Sequence, residues 1–260
     1  IDGIFVGSHS DGYTPFEIRL TKHLNRDGIL LTICIDGSEN PEIPPFGGQI
    51  DYLTYAGIYR EVWIKTAPPV SIQNVKIEPD QVLDLLKSVR ISCQLSNPQA
   101  QELHQAELLA SITAPDGTCI AQCRTVISDN NPKLTVSELE NILLWSPDAP
   151  NLYRLELTLQ CNGATDTLSR MFGFRTAEFA ADGFRLNGEK LKLLGLNRHQ
   201  SFPYSGYALG RSAQEEDAEI LKFDLACNVV RTSHYPQSTW FLDHCDRIGL
   251  LVLEEIPGWQ

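Results

Sequence analysis

Three short apolar runs, separated by two helical patterns, constrain the fold of this sequence most strongly. The runs are LLGLN (193–197), NVVR (228–231) and LLVLEE (250–255), and the stretches between them are SAQEEDAEILKFDLAC and STWFLDHCDRIG. Apolar strands that alternate with helices are typical of a parallel sheet with covered faces. In such sheets the chemistry collects at the carboxyl ends of the strands. The residues that follow each run are therefore the first candidates for a functional site.

Polar side chains follow all three runs. They are Asn197, Arg198 and His199 after the first, Arg231, Thr232, Ser233 and His234 after the second, and Glu254 and Glu255 after the third. A single histidine at a strand end is usually a hydrogen-bonded loop residue. Three neighbouring strand ends would bring two histidines, two arginines and two carboxylates to one edge of the sheet, which favours a site over ordinary loop chemistry.

The first 66 residues are predicted to form β-structure. Asp2-Gly3 lies between apolar residues and is a hairpin signal, while ILLTICI (29–35) and GIYREVWIK (57–65) have the composition of strands. The adjacent prolines 68 and 69 are typical of a linker. This stretch is therefore predicted to be a β-domain that ends near residue 66.

Residues 70 to about 176 repeat a rhythm of strand and turn. SVRISCQL and LYRLELTLQ alternate apolar with polar residues, and turn signals at Asn97-Pro98, Asp116-Gly117 and Asn162-Gly163 separate such runs. This spacing predicts an immunoglobulin-like β-sandwich. The Cys…Trp…Cys core of antibody domains is missing from the sequence, so the prediction excludes an antibody-type domain.

Composition narrows the function classes. A formal charge of −12 argues against nucleic acid and anionic membrane surfaces as partners, and no apolar run approaches the roughly 20 residues that cross a bilayer. The 7 cysteines are scattered, which favours buried thiols in a reducing compartment and a cytoplasmic location over secretion. Cys119 and Cys123 are the closest pair, and no second pair completes a zinc site.

The stretch NVVRTSHYPQSTWFLDHCDRIGLLVLEE closely resembles the signature of glycoside hydrolase family 2, the family of β-galactosidases and β-glucuronidases. DYLTYAGIYREVWI (51–64) resembles the sugar-binding domain of the family, and WSPDAPNLYRLEL (145–157) resembles the end of its sandwich domain. RLNGEKLKLLGLNRHQ (185–200) is similar to the entry into its barrel. The resemblance therefore extends over essentially the whole chain.

The resemblance implies a multidomain β plus α/β architecture. It assigns residues 1–66 to a partial jelly-roll sugar-binding domain, 67–176 to the immunoglobulin-like β-sandwich, and 177–260 to the first three strands of a (β/α)₈ TIM barrel. A complete barrel needs about 250 residues. By comparison with the family, the chain is therefore expected to be a fragment truncated at both ends.

The family hydrolyses glycosides with retention of configuration, which requires two carboxyl groups roughly 5–5.5 Å apart. By resemblance both glutamates come from later strands, so no catalytic residue is expected before Gln260 and the chain alone is predicted to be inactive. Glu254 and Glu255 are poor substitutes, because neighbouring strand residues point to opposite faces. We expect Glu255 to face the pocket as a polar partner and Glu254 to pack outward.

The resemblance assigns supporting roles to residues that are present. Asp51 would reach a sugar hydroxyl, although a loop acid near a turn is the alternative, and His199 and His234 would hydrogen-bond sugar hydroxyls. Arg231 would lie near the nucleophile and keep it ionised, and Asn197 would shape the same surface. These five residues and Glu255 are the predicted substrate-binding set.

No cofactor is implied, and a metal is doubtful because the stretch IPGWQ offers neither the acid nor the histidine of the magnesium site that some family members have. Trp259 is either an aromatic surface for a sugar ring or a core residue.

The stretch GLNRHQ resembles that of the β-galactosidases of the family, which implies a β-galactoside as the carbohydrate partner, with a β-glucuronidase or another β-glycosidase of the family as the alternative. A non-catalytic carbohydrate-binding fragment and a purely structural fragment also remain open. In either case the open edge of a partial barrel is expected to favour self-association.

Overall fold

A computed structural model describes residues 1–24, 28–44, 50, 52–103 and 105–257 of the chain. The chain divides into two compact units. The first contains residues 1–62, 195–245 and 250–260, and the second contains residues 63–194 and 246–249. The predicted domains, with boundaries at residues 66 and 176, are continuous in sequence, whereas these two units are not. The predicted boundaries therefore stay a prediction.

The regular elements begin at residue 71, apart from a short 3₁₀ turn at Thr21–His23. The strands are β1 (Ser71–Asp80), β2 (Lys87–Ser96), β3 (Glu107–Thr113), β4 (Cys119–Val126), β5 (Lys133–Leu139), β6 (Tyr153–Cys161), β7 (Ala164–Phe172), β8 (Ala177–Ala180), β9 (Gly183–Leu186), β10 (Glu189–Lys190), β11 (Gly195–Arg198), β12 (Val229–Thr232) and β13 (Leu251–Leu253). The helices are α1 (Arg211–Glu219), which continues as a π-helix over Ile220–Asp224, and α2 (Thr239–Ile248). None of the described helices has the length and apolar character needed to span a bilayer.

The second unit is built on two antiparallel sheets that share one hydrophobic core. One sheet has the order β1-β2-β5 and the other has the order β4-β3-β6-β7. Side chains from both sheets form a single cluster, with Ile91 and Ile112 among its fully buried members. Because each strand has one face on this core and one outside, its sequence alternates. A sandwich of sheets is therefore confirmed for this stretch.

The alternation predicted from the sequence is present in both strands that carried it. On β2 the residues Val89, Ile91, Cys93 and Leu95 are all buried, and on β6 Tyr153, Leu155, Leu157 and Leu159 are buried in the same way. The Asn162-Gly163 turn joins β6 to β7 with positive φ at both positions, which is the backbone that a two-residue hairpin loop needs.

A second hairpin lies at Asn187-Gly188. Both residues have positive φ, and they join β9 to β10 at the edge of a three-stranded sheet of order β10-β9-β8. The Asn187 side chain accepts a hydrogen bond from Thr176 N at 3.0 Å and donates to Trp145 O at 3.0 Å. The turn is therefore fixed by side-chain contacts as well as by its backbone preference.

The first unit differs from the prediction in its N-terminal part. The described residues of 1–62 contain no strand, and both ILLTICI and the start of GIYREVWIK are irregular. Large apolar side chains such as Leu30 and Ile58 remain exposed there. A strand-like run forms a ladder only where another strand pairs with it, and no described strand pairs with these runs. The Asp2-Gly3 turn itself is present, with positive φ at both residues.

The three apolar runs after residue 192 form a parallel sheet of order β11-β12-β13, as predicted. Gly195 opens β11 opposite Val229, and a side chain there would collide with the Val229 carbonyl, so glycine is required for this close approach. The two predicted helices are also confirmed. Each buries residues one turn apart, Gln214 and Ala218 on α1 and Phe241 and Cys245 on α2.

Candidate functional site

The candidate site lies in the first unit, at the carboxyl ends of the three parallel strands. The register pairs Asn197 with Arg231 and Arg231 with Leu253, so the residues that follow the three strands emerge side by side. His199 comes directly after β11, His234 lies two residues after β12, and Glu255 lies two residues after β13. The predicted convergence of polar residues at this edge is therefore present in the structure.

The Glu255 carboxylate connects the second and third strand ends. Its Oε1 accepts a hydrogen bond from Arg231 Nε, and its Oε2 lies 2.9 Å from His234 Nδ1. Glu255 N donates to Thr232 Oγ1 at 2.9 Å, and that hydroxyl donates in turn to Leu253 O at 3.3 Å. Both carboxylate oxygens are engaged, so Glu255 forms a bridge between a guanidinium and an imidazole.

The two histidines differ in exposure although their rings are neighbours. Their centroids lie 5.4 Å apart in an edge-on arrangement, with His234 buried and His199 exposed. The Tyr52 ring lies 5.7 Å from that of His199 and 5.8 Å from that of His234. His199 Nδ1 lies 3.3 Å from the hydroxyl of Tyr235, which also accepts from Gln200 N at 3.4 Å. Aromatic faces and imidazole edges thus meet at one surface.

A set of tyrosines extends this aromatic surface. Tyr13 stacks on Tyr235 with centroids 5.0 Å apart, Tyr207 lies 5.1 Å from Tyr235, and Tyr207 Oη donates to Leu53 O at 2.7 Å. Burial raises the pKa of Tyr13, Tyr207 and Tyr235 above the usual value and raises that of Tyr59 to about 12. These phenols are neutral at physiological pH, so they act as hydrogen-bond donors and apolar walls.

Arg198 does not face the site. Its side chain is 5% exposed, and it donates from Nε and Nη2 to Asp217 Oδ2 at 3.0 and 2.6 Å and from Nη1 to Gln237 Oε1 at 2.5 Å. Its guanidinium lies 4.0 Å from the Phe241 ring centroid. The expectation that both arginines reach one edge is therefore wrong for Arg198, because its side chain is buried among partners on the two helices.

Glu254 is exposed, and its predicted outward packing stays a prediction. β13 ends at Leu253, so strand alternation no longer fixes the direction of Glu254. Its Oε1 accepts a hydrogen bond from Gln237 N at 3.2 Å, in the loop after β12. Partial burial raises the pKa of the Glu254 carboxyl, and the Gln237 N–H opposes this effect.

The remaining predicted residues have mixed outcomes. Asn197 lies exposed on β11 beside Arg231 in the register, whereas Asp51 and Trp259 lie outside the described residues. Sequence reasoning missed Arg60, whose Nη2 donates at 2.5 Å to the fully buried Gln200. The available signal was an arginine inside a strand-like run.

No described group of three or more His, Cys, Asp or Glu side chains is arranged to hold a metal ion. All seven cysteines are free thiols, including Cys119 and Cys123.

Sequence profiles of known families match most of the chain. The profile "Glycosyl hydrolases family 2" matches residues 70–175, and the profile "Glycosyl hydrolases family 2, TIM barrel domain" matches residues 178–259. The second match contains the three parallel strands and all the site residues after Gly195.

Two bacterial relatives are similar over nearly the whole chain. The β-galactosidase of Thermoanaerobacterium thermosulfurigenes is 46% identical over 100% of this chain and 37% of its own length. The β-galactosidase of Rhizobium meliloti is 50% identical over 95% of this chain and 33% of its own length. The chain thus spans about a third of the length of these curated relatives.

Solved structures agree with this relationship. Bacteroides uniformis β-glucuronidase 2, solved covalently bound to cyclophellitol-6-carboxylate aziridine, has a TM-score of 0.85 and 30% identity over 97% of this chain and 32% of its own. Parabacteroides merdae β-glucuronidase has a TM-score of 0.82 and 26% identity over 97% of this chain and 33% of its own. Together with the profile matches and the site geometry, these similarities establish that the chain belongs to glycoside hydrolase family 2.

Proposed function

We propose that this chain is part of a retaining β-glycosidase that cleaves terminal β-D-galactosides. The observation that carries the proposal is the Glu255 bridge, which holds Arg231 and the buried His234 beside His199 at the carboxyl ends of three parallel strands. The β-galactosidase names of relatives with 46% and 50% identity favour galactosides as the substrates.

In this proposal the chain supplies binding groups for the sugar that is cleaved. The imidazole of His199 is exposed and hydrogen-bonds a sugar hydroxyl. His234 is proposed to hydrogen-bond a second sugar hydroxyl, with its ring held by the contact between Nδ1 and Glu255. The Tyr52 face offers an apolar surface to the C–H groups of the ring. Hydrogen bonds of this kind accelerate hydrolysis when they strengthen as positive charge develops on the sugar.

Arg231 supplies the positive charge of the site. Its guanidinium is partly exposed and already paired with Glu255, so it stabilises a second carboxylate placed next to it as the ionised nucleophile. Asn197 is proposed as a further sugar contact at the same edge, and Asp51, which lies outside the described residues, is proposed as another sugar contact.

The nucleophile and the acid/base carboxylate are proposed to lie beyond Gln260. Glu255 is unsuited to attack the anomeric carbon, because both of its oxygens are engaged by Arg231 and His234. Glu254 accepts a hydrogen bond from the Gln237 backbone. The 260-residue chain is therefore proposed to be inactive by itself, with no cofactor of its own.

At the level of the fold, we propose that the sandwich is immunoglobulin-like, that residues 1–66 are part of a jelly roll, and that β11, β12 and β13 begin the barrel. The strand β11 is an edge of its sheet, and Leu196 on it is exposed. Self-association through this edge is proposed for the isolated chain, and a molar mass that rises with concentration would support it.

A β-glucuronidase is the second candidate, because the two solved structures described above are β-glucuronidases that superpose on 97% of the chain. A carbohydrate-binding function without turnover is the third.

The test is hydrolysis of a panel of aryl β-glycosides by the 260-residue chain and by the complete product of its gene. Galactoside cleavage by the complete product alone supports the proposal, and cleavage of glucuronides instead favours the second candidate. Cleavage by the 260-residue chain would refute the assignment of the two carboxylates. If neither protein cleaves a glycoside but galactose binds, the binding function replaces hydrolysis.

A further inference from the structure

The loop between β12 and α2 is polar and deeply buried. Ser233, His234, Gln237 and Ser238 are each between 0% and 6% exposed. Buried polar groups are hydrogen-bonded in almost all native proteins, because leaving one without a partner costs as much as losing a hydrogen bond. The position of His234 therefore depends on which residues form hydrogen bonds with the polar groups of this loop.

Gln237 bonds to the residues at the ends of all three strands. Its Oε1 accepts from Nη1 of Arg198, the last residue of β11, at 2.5 Å. Its Nε2 donates to the carbonyl of Tyr235, after β12, at 3.3 Å. Its backbone N–H donates to Oε1 of Glu254, after β13, at 3.2 Å. A single residue thus joins the three strand ends that form the candidate site.

Arg198, the partner of Gln237, is itself fixed from other directions. Its Nη2 donates to Gln214 Oε1 at 2.8 Å and to Asp217 Oδ2 at 2.6 Å, both on α1. Its planar face lies 4.0 Å from the ring centroid of Phe241 on α2. Because the guanidinium cannot rotate without breaking several of these contacts, it offers Gln237 a donor at a fixed place.

We propose that Gln237 is a positioning residue for the candidate site: it touches no sugar, and it places His234 and Glu254 by tying their loops to Arg198. This inference rests on the proposed glycosidase function for its effect on activity. Its geometric content is independent of the substrate.

The chain contains a matched control for this proposal. Gln214 is also a buried glutamine that accepts a hydrogen bond from Arg198, but it lies on α1, and its other hydrogen bond, a long 3.5 Å contact, goes to Leu209 O. Gln214→Met and Gln237→Met each remove one acceptor of Arg198 with similar side-chain volume. Only Gln237→Met also removes the side-chain hydrogen bond to the Tyr235 carbonyl, inside the loop that carries His234.

The experiment compares both variants in the complete gene product, using kcat and KM for the aryl β-glycoside that the wild type cleaves, thermal unfolding and crystal structures. We expect similar losses of thermal stability in the two variants. We expect kcat/KM to fall roughly 10- to 100-fold in Gln237→Met, because misplacement by about 1 Å costs this much, and to change less than about threefold in Gln214→Met. Gln237→Glu, which keeps the acceptor for Arg198, should recover part of the loss.

Equal losses of kcat/KM in the two variants, or none in either, would overturn the proposal. If the wild type cleaves no glycoside, the proposed function fails, and the crystal structures decide the inference alone. In Gln237→Met, a displaced His234 ring supports the proposal, and an unchanged distance of 2.9 Å between His234 Nδ1 and Glu255 Oε2 overturns it. If that variant does not fold, the same comparison is made with Gln237→Leu, which also removes the acceptor for Arg198.

Discussion

Replacing Arg198 by methionine tests the buried guanidinium on which the strand ends depend. The side chain is 5% exposed and donates to Asp217, Gln214 and Gln237. Methionine keeps a chain that can pack on Phe241, but it donates no hydrogen bond. The variant therefore leaves one carboxylate and two buried amide oxygens without their donor.

The expected cost follows from how well each acceptor can be rehydrated. Removing one partner of a buried ion pair costs about 3–5 kcal/mol, and a buried acceptor without a donor costs about 1–3 kcal/mol. The Asp217 side chain is 36% exposed, so water solvates it in the variant and screens the lost attraction. Because the packing on Phe241 is retained, we expect a total of about 3–5 kcal/mol. At about 3–6 °C per kcal/mol for a unit of this size, this loss corresponds to a melting temperature lower by roughly 9–30 °C.

Urea unfolding followed by both circular dichroism and tryptophan fluorescence measures this loss, and coincident transitions would justify a two-state treatment. Arg211→Met is the control, because Arg211 is 61% exposed and pairs with Glu215 on the surface of α1. Such exposed pairs are worth less than about 1 kcal/mol. A loss in Arg198→Met as small as that of the control would mean that water already solvates the guanidinium, and the reasoning would be refuted.

Three further predictions follow from single contacts. Leu157→Ala removes a fully buried core side chain and should cost about 2–5 kcal/mol of unfolding free energy in urea; a loss below 1 kcal/mol would contradict the packed core. Glu255→Gln leaves one amide oxygen for both Arg231 and His234, so we expect galactoside affinity in calorimetry to fall about tenfold, or ~1.4 kcal/mol, and an unchanged affinity would argue against the bridge. Burial raises the pKa of Tyr59 from 10.0 to about 12, so its stabilising contribution is complete below about pH 10 and is lost as the pH rises towards 12. Urea unfolding at pH 9 and pH 11 should show this decline, and Tyr59→Phe should reduce it.

The sandwich was predictable because its strands are specified locally. Tyr153, Leu155 and Leu157 alternate with polar residues, and each sheet has one face on a shared core, so the period of two in the sequence is the period of burial in the structure. The Asn162-Gly163 and Asn187-Gly188 turns also follow from local preference, because these residue types accept positive φ at little cost.

The N-terminal 62 residues show the limit of this approach. ILLTICI has the composition of a strand, but composition does not supply the neighbour to which a strand must hydrogen-bond. In the described part of this stretch the run stays irregular, and Leu30 and Ile33 are exposed. Pairing is a property of two segments, and one segment read by itself cannot establish it.

The sequence predicted where the site lies, at the strand ends, but it did not predict most of the side-chain contacts there. Parallel strands bring their carboxyl ends to one edge whatever the side chains are, which is why His199, His234 and Glu255 converge as expected. Gln237 and Tyr52 were missed because their contacts come from distant parts of the chain. Gln237 follows a proline in a loop without periodicity, and nothing in its neighbourhood signals a bond to Arg198.

Arg198 and His199 are neighbours in sequence but have different environments at the end of β11. Arg198 is the last residue of β11 and its side chain is buried, whereas His199 follows the strand and is exposed. The arginine is the member that tolerates burial here, because its five donors find Asp217, Gln214 and Gln237 together. A histidine at the same position would leave most of these acceptors without a donor. Some polar residues at a strand end therefore form the binding surface, and others support it from inside. Exchanging Arg198 and His199 should damage both the surface and its support.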